Sequence, residues 1–290
     1  MNITGPKLDF ERIARKRINP RHILVTGAGS GIGREIAFHL ASRDALVIGT
    51  VRDPERASRL SEEAQNQGLS ITYLPLELTR PEQIEALGRD LDRLGGIDVL
   101  VHNAGFGLFG AVEDCGQEAM QRQFEVNLMG PLALTRRLLP GLRARQGRII
   151  WIGSLGGRFA LPFQACYSAS KAAVATVSDA LRMELRPFGV KVTCIEAADF
   201  ATDFTRARQD CTQAGSPYAR WAERCLAAVT LTEQRGPAPR LVARRVDKLL
   251  QRAYPPARVR VGRWARTLCF LERVIPDLVR EQLVRATYRL

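Results

Sequence analysis

"HILVTGAGSGIGREIAFHLASR", residues 22–43, decides the fold. A β-rich apolar run over 22–26 stops at a cluster of glycines and passes straight into a stretch whose apolar residues recur at helical spacing. The reading is strand, glycine turn, helix. Gly27 permits the tight turn, Gly31 lets backbone approach a pyrophosphate, and Gly33 allows the helix to pack closely. The helix start adds unpaired N–H groups and a partial positive charge, so this is where a dinucleotide would dock. The spacing from Thr26 to Gly33 is T-G-x-x-x-G-x-G. Taken alone, it also fits an ordinary glycine-rich turn between a strand and a helix.

The alternation continues along the chain. Strand-like runs at 45–51, 71–77, 97–105, 147–154 and 190–197 are separated by helical patterns over 53–67, 81–94 and 117–142 and by a helix opened by Tyr167. Several of the strand runs are apolar without a break, as strands buried on both faces must be. The pattern predicts an α/β protein: a Rossmann-type doubly wound parallel sheet with helices on both faces. Residues 1–20 are expected to be an N-terminal extension and residues 21–290 one domain, with a variable lid over about 199–235. The Pro-rich breaks at 235–240 and 254–262 lead into a last helix and a final strand, and 240–290 reads as a basic helical region.

Composition sets outer bounds. At 290 residues and 46% hydrophobic, the chain can bury one sizeable core. It holds no apolar run of about 20 residues, the length of a membrane span. Residues 1–20 lack the apolar centre of a secretory signal, so a cytoplasmic location is expected. The cysteines at 115, 166, 194, 211, 225 and 269 show no C-x-x-C spacing, which points to reduced and mostly buried thiols. His22, His39 and His102 have no metal-ligand spacing and read as structural, so no metal is expected. The formal net charge of +13 is concentrated in arginines after residue 235, interleaved with Leu and Val at helix-like spacing. That pattern fits a solvated basic face; a lipid or nucleic-acid footprint is the rival reading.

Further motifs extend the glycine turn. "HNAG" follows the fourth strand at 102–105, "FEVNLMG" occupies 124–130, "GSLGG" begins at Gly153, and "YSASK" runs from Tyr167 to Lys171. In this order, over nearly all of residues 21–205, the sequence resembles the short-chain dehydrogenase/reductase family in its compact single-domain form. Its wording lies nearest the hydroxysteroid and retinol dehydrogenase branch, notably in "GRFALPF" at 157–163. The resemblance implies a catalytic set of Asn127, Ser154, Tyr167 and Lys171. It also implies a nicotinamide cofactor bound by Thr26, Gly27, Gly29, Ser30, Gly31, Ile32, Gly33, Arg52, Glu77, Leu78, Asn103, Ala104, Gly105, Tyr167, Lys171 and Thr202.

Tyr167 and Lys171 lie four residues apart, so they share one helix face and can point at one ligand. A free phenol has a pKa near ~10, and a neighbouring ammonium favours its phenolate. The expected mechanism has Tyr167 protonating a carbonyl oxygen as hydride arrives, with Ser154 hydrogen-bonded to the same oxygen. By resemblance, Lys171 also holds the nicotinamide ribose, and Asn127 positions a water that connects Lys171 to solvent.

Cofactor choice turns on "IGTVRDPER" at the end of the second strand. Val51 stands where NAD-dependent relatives carry an acid, and the guanidinium of Arg52 can pair with a 2′-phosphate, so NADP(H) is expected over NAD(H). Asp53, twenty residues after Gly33, is the rival ribose ligand, but Pro54 behind it makes it a natural helix cap. Two positions depart from the family pattern. Glu77 replaces an aspartate after the third strand, and Ala197-Ala198 replaces Pro-Gly after the sixth strand.

An apolar lid over "WAERCLAAV" (221–229) and the 157–163 segment suggest a bulky hydrophobic ketone or alcohol, such as a steroid, retinoid or lipid. The same side chains could instead pack beneath the lid or in a subunit contact. Three function classes are open: an NADP(H)-dependent carbonyl reductase or alcohol dehydrogenase, a nucleotide-sensing regulator of the same fold, and a membrane- or nucleic-acid-associated protein using 263–275. The first is favoured. A homodimer or homotetramer is implied by resemblance, no nucleic acid is expected, and peripheral membrane contact is left open.

Overall fold

The computed structural model describes residues 21–202, 204–272 and 274–290. The expected extension over 1–20 lies outside the described residues. In chain order the elements are β1 (His22–Val25), α1 (Gly31–Ala41), β2 (Leu46–Val51), α2 (Pro54–Asn66), β3 (Ile71–Pro75), α3 (Pro81–Arg93), β4 (Val99–His102) and β5 (Leu108–Phe109). Next come α4 (Gln117–Phe124), a π-helical turn (Glu125–Met129), α5 (Gly130–Ala144), β6 (Arg148–Ser154), α6 (Ala165–Glu184) and β7 (Lys191–Ala197). The chain ends with α7 (Phe204–Ala207), β8 (Gln209–Asp210), α8 (Ala219–Gln234), α9 (Arg240–Leu250), β9 (Arg258–Val261), α10 (Ala265–Leu271) and α11 (Asp277–Thr287).

Seven strands form one parallel sheet in the order β3-β2-β1-β4-β6-β7-β9. The expected α/β Rossmann-type doubly wound sheet is therefore present. Alternation along β1 sends Ile23 and Val25 to one face and Leu24 to the other. On the first face they meet Ile36 and Leu40 of α1 and Val242, Val246 and Leu249 of α9. On the second, Leu24 and Leu100 pack with Leu91 of α3, Leu134 and Leu138 of α5, and Val174 of α6. Both faces need cover, which is why the central strands are apolar throughout. Truncating a buried leucine such as Leu24 to alanine would cost about 2–5 kcal/mol.

One expected element is different. The single helix predicted over 117–142 is two helices joined by the π turn at Glu125–Met129. Its cause is legible: Pro131 has no N–H, so it cannot donate to the carbonyl of Asn127, four residues earlier, and the α-helical ladder is broken there. The last helix and final strand expected from the Pro-rich breaks are α9 and β9, and α10 and α11 follow them.

The strands beyond β7 anchor the C-terminal helices. Glu196 of β7, 1% exposed, is ringed by Arg158, Arg258 and Arg260 at 3.4, 3.1 and 3.3 Å. Arg158 reaches on to Glu272 at 2.6 Å, which fastens the end of α10 to the body of the protein.

Candidate active site

The chain proceeds from β1 outward to β3 and then returns to β4 and the opposite side of the sheet. At such a switch point the two connecting loops diverge, and a crevice opens above the carboxyl ends of the strands. Here it is about 1550 Å³.

The glycine turn forms its first wall. Thr26, fully buried, accepts the N–H groups of Asn103 and Ala104 through Oγ1 at 3.0 and 3.1 Å. Asn103 in turn donates through Nδ2 to the carbonyls of Thr26 and Gly27, both at 3.0 Å. These bonds tie the ends of β1 and β4 together. A Cβ on Gly33 would lie 2.3 Å from the Gly27 carbonyl oxygen and 2.4 Å from Asn103 Nδ2, so only glycine lets α1 start here. Ser30, the N-cap of α1, makes no side-chain cap, and it lines the crevice with Gly31 and Ile32 of the helix's first turn.

Of the residues expected to touch a cofactor, Gly27, Gly29, Ser30, Gly31, Ile32, Arg52, Glu77, Leu78, Asn103, Ala104, Gly105, Tyr167, Lys171 and Thr202 line the crevice. Thr26 and Gly33 sit behind the wall and hold it in shape. Asp53 caps α2, its carboxylate accepting the Glu55 N–H at 3.0 Å ahead of Pro54. Arg56, which sequence reasoning missed, lies one turn after Arg52, lines the crevice and donates to the Gly29 carbonyl at 2.9 Å.

At the other end stand Ser154, Tyr167 and Lys171. Ser154 ends β6 and accepts the Gly156 N–H at 3.0 Å, which aims its hydroxyl at the start of α6. Tyr167 and Lys171 occupy the first turns of α6, and each is 8% exposed. Burial pushes the Tyr167 phenol up to about 12 against the opposing hydrogen bond with Ser154; Asp199 and Glu233 also raise it, and Arg208 lowers it. Burial pushes the Lys171 ammonium down to about 8. Its Nζ donates to the Ile152 carbonyl at 3.2 Å and stands 5.9 Å from the centre of the Tyr167 ring. Burial dominates the phenol and raises it, and Lys171 is not among the charges that shift it.

Asn127 lies behind this pair and does not line the crevice. Its Oδ1 accepts the Phe106 N–H at 3.1 Å, and its Nδ2 donates to the Phe106 carbonyl and to Ser170 Oγ, both at 3.1 Å. Gly105 is the joint between the two groups: a Cβ there would lie 3.0 Å from Asn127 Oδ1 and 3.6 Å from Lys171 Nζ.

The substituted Ala197-Ala198 pair also lines the crevice. Ala198 donates to the Val261 carbonyl at 2.9 Å and packs where a Cβ on Gly262 would stand, 2.5 Å from its own. The end of β9 thus fixes this turn from behind. Of the 221–229 stretch only Val229 reaches the crevice, while Ala222 and Cys225 pack under the lid with Phe109. The apolar wall comes instead from Phe159, Leu161, Phe204 and, from the C-terminal helices, Trp264, Leu268, Leu271 and Leu283. Trp264, Leu268 and Leu271 fall in the 263–275 stretch that the sequence marked as a contact surface and not as crevice lining, and Leu283 carried no signal.

A parallel sheet with a glycine-turn crevice at its switch point and a Ser–Tyr–Lys group facing that crevice defines a nucleotide-binding oxidoreductase architecture. Within that class, the family pattern described as short chain dehydrogenase matches residues 21–212, and the chain belongs to this family of oxidoreductases, whose fold binds nicotinamide cofactors. It is similar to 3-ketodihydrosphingosine reductase of Bacteroides thetaiotaomicron, with 33% identity over 276 residues, covering 93% of this chain and 99% of that protein. It is also similar to human 17-beta-hydroxysteroid dehydrogenase type 1, with 36% identity over 189 residues, covering 63% of this chain and 57% of that one. Among solved structures, a short-chain dehydrogenase from Streptomyces avermitilis superposes with a TM-score of 0.79 at 32% identity, covering 93% and 99% of the two chains.

Proposed function

We propose that the protein is an NADP(H)-dependent oxidoreductase that interconverts a ketone or aldehyde and an alcohol on a bulky hydrophobic substrate. The observation that carries this reading is a buried phenol, Tyr167, hydrogen-bonded to Ser154 and facing a crevice continuous with the glycine turn. When bound, a nicotinamide would supply the hydride. The residues present suit it: the uncapped start of α1 favours phosphate, and Arg52 and Arg56 beside it favour a further phosphate on the ribose. Asp53 caps α2 and does not line the crevice, which favours the arginines over it as the ribose-side contact.

In the reducing direction Tyr167 donates its proton to the substrate's carbonyl oxygen, and Ser154 hydrogen-bonds the same oxygen as charge builds there. Burial raises the phenol to about 12, so it carries its proton at neutral pH, but donating that proton leaves a phenolate that burial disfavours and that needs a neighbouring cation. Lys171 opposes the charge left on the phenol. Asn127 acts through position, tying the Phe106 segment to Ser170 of α6. The apolar wall of Phe159, Leu161, Phe204 and Leu268 calls for a large nonpolar body on the substrate. Two relatives, a 3-ketodihydrosphingosine reductase and a hydroxysteroid dehydrogenase, support the same direction.

We infer also that residues 21–290 act as one domain with 199–235 as its lid, and that copies pair through the central helices. Exposed Met129 and Met183 on that side support the pairing. The test is a panel of long-chain, steroidal and small ketones and alcohols, followed by nicotinamide absorbance with NADPH and NADH, beside a Tyr167→Phe control. Turnover of an apolar ketone with NADPH that vanishes in the control is expected. Undiminished turnover in the control would overturn the mechanism.

A further inference from the structure

Helix α10 is apolar on two sides. One side buries Ala265 and Cys269, four residues apart, against Leu155 and Ala198. The other presents Trp264, Leu268 and Leu271 to solvent, and Phe270 beside them is 66% exposed. Helix α11 buries no residue at all and exposes Leu278, Val279 and Leu283. Eight of the sixteen large apolar side chains exposed among the described residues fall between Trp264 and Leu283. A water-facing helix ordinarily puts polar residues there, and a contiguous apolar surface of this kind marks a contact site.

Two neighbours say what the surface meets. The crevice opens onto it: Trp264, Leu268, Leu271 and Leu283 both line the crevice and stand exposed, so the apolar wall runs out through the mouth to the surface. On the other flank lies a shallow groove of about 850 Å³ between α9, β9 and α10. Arg235, Arg244, Arg245, Lys248, Arg263 and Arg266 line it, and among the described residues no acidic one does. Arg235, Arg263 and Trp264 belong to both groove and crevice.

We propose that α10 and α11 seat the protein on an anionic lipid bilayer, with the apolar shelf in the acyl boundary, the arginine groove on the headgroups and the crevice mouth facing the membrane. Apolar side chains next to concentrated positive charge are the two attractions that hold interfacial helices on anionic membranes. A second copy of this chain carries the same positive groove, so a two-fold contact through this face would set like charges together. The seating extends the reading of a hydrophobic substrate, since a ligand dissolved in lipid would enter the crevice directly, but binding itself does not require turnover.

The experiment is cosedimentation of the full chain with vesicles of phosphatidylcholine alone and of phosphatidylcholine with phosphatidylserine, at low and high salt. Binding is expected to the mixed vesicles at low salt and to weaken with salt. Arg244→Glu/Lys248→Glu/Arg266→Glu should weaken it by about a hundredfold, as each lost cation is worth a few-fold at an anionic surface. Phe270→Ser/Leu278→Ser, at positions outside the crevice, should abolish it while leaving NADPH turnover in detergent-dispersed substrate unchanged. Fluorescence of Trp264 in a Trp221→Phe background should shift to the blue on mixed vesicles. Failure of the parent chain to bind mixed vesicles, or binding by both variants equal to the parent's, would overturn the seating. So would loss of a dimer, seen by sedimentation velocity, in Phe270→Ser/Leu278→Ser with vesicle binding unchanged.

Discussion

The carboxylate of Asp53 accepts the backbone N–H of Glu55 at 3.0 Å and caps α2, and Asp53 does not line the crevice. Arg52, immediately before it, lines the crevice with Arg56. Replacing Arg52 with alanine should therefore lower kcat/KM for NADPH by about tenfold or more and leave the NADH value within about twofold, since one charge-assisted phosphate contact is worth roughly 1.5–3 kcal/mol. Asp53→Ala should do the reverse: a loss of about 1 kcal/mol of stability with the cofactor ratio unchanged. Steady-state kinetics with both cofactors and thermal melts of both variants check the pair. A Asp53→Ala protein that loses NADH activity selectively would return the acid to the ribose.

The pH dependence follows from two buried groups that move in opposite directions. The Tyr167 phenol, pushed up to about 12, stays protonated through the neutral and mildly alkaline range, so its ionisation does not limit the reducing reaction below about pH 11. The Lys171 ammonium, pushed down to about 8, loses its charge first. For ketone reduction, kcat/KM should fall as pH rises through about 8, and Lys171→Arg should move that limb upward, because a guanidinium does not deprotonate in this range. A limb that stays near pH 8 in Lys171→Arg belongs to another group.

Much of this was legible from the residues because it depends on local sequence. The glycine turn, the uninterrupted apolar strands, the Asp53-Pro54 cap and the four-residue spacing of Tyr167 and Lys171 are each written within a few positions. What was not legible depends on chain segments far apart. The raised phenol comes from enclosure by α7, α8 and the loop around Asp199, and no spacing reports burial. The break at Asn127 had a local signal in Pro131, which the apolar periodicity of 117–142 masked. The reach of Trp264, Leu268 and Leu283 into the crevice depends on how β9 docks beside β7 and how Arg158 ties down Glu272. Amphipathic spacing marked 263–275 as unusual but could not say what lay beside it.

Gly33 and Gly141 separate a packing requirement from a backbone preference. A Cβ on Gly33 would stand 2.3 Å from the Gly27 carbonyl oxygen, a backbone atom held by Asn103, whereas a Cβ on Gly141 in α5 meets nothing within 4 Å. Gly33→Ala should cost about 1–3 kcal/mol or more and weaken cofactor binding, as α1 must shift away from the turn. Gly141→Ala should stabilise the protein by about 0.5–1 kcal/mol through helix propensity. Urea unfolding with NADPH titration reads both effects, and equal stability of the two variants would contradict the crowding at α1.

Acid sensitivity should trace to His102. The ring is buried at the end of β4, stacks on Trp151 at 4.1 Å, and shares a hydrogen bond with Thr135 Oγ1 at 2.7 Å. Burial pushes its pKa down from 6.5 to about 3. Between those values the unfolded chain binds a proton that the folded one refuses, so the unfolded state gains as pH falls. The stability that the neutral ring preserves is whole above about pH 6.5 and drains away as pH drops from there toward 3. His102→Gln keeps a hydrogen-bonding side chain beside Thr135 but cannot titrate. It should melt below the parent at pH 7, having lost the ring stack, and its melting temperature should fall less steeply between pH 6.5 and 4. Parallel slopes for the two proteins across that window would place the acid-sensitive group elsewhere.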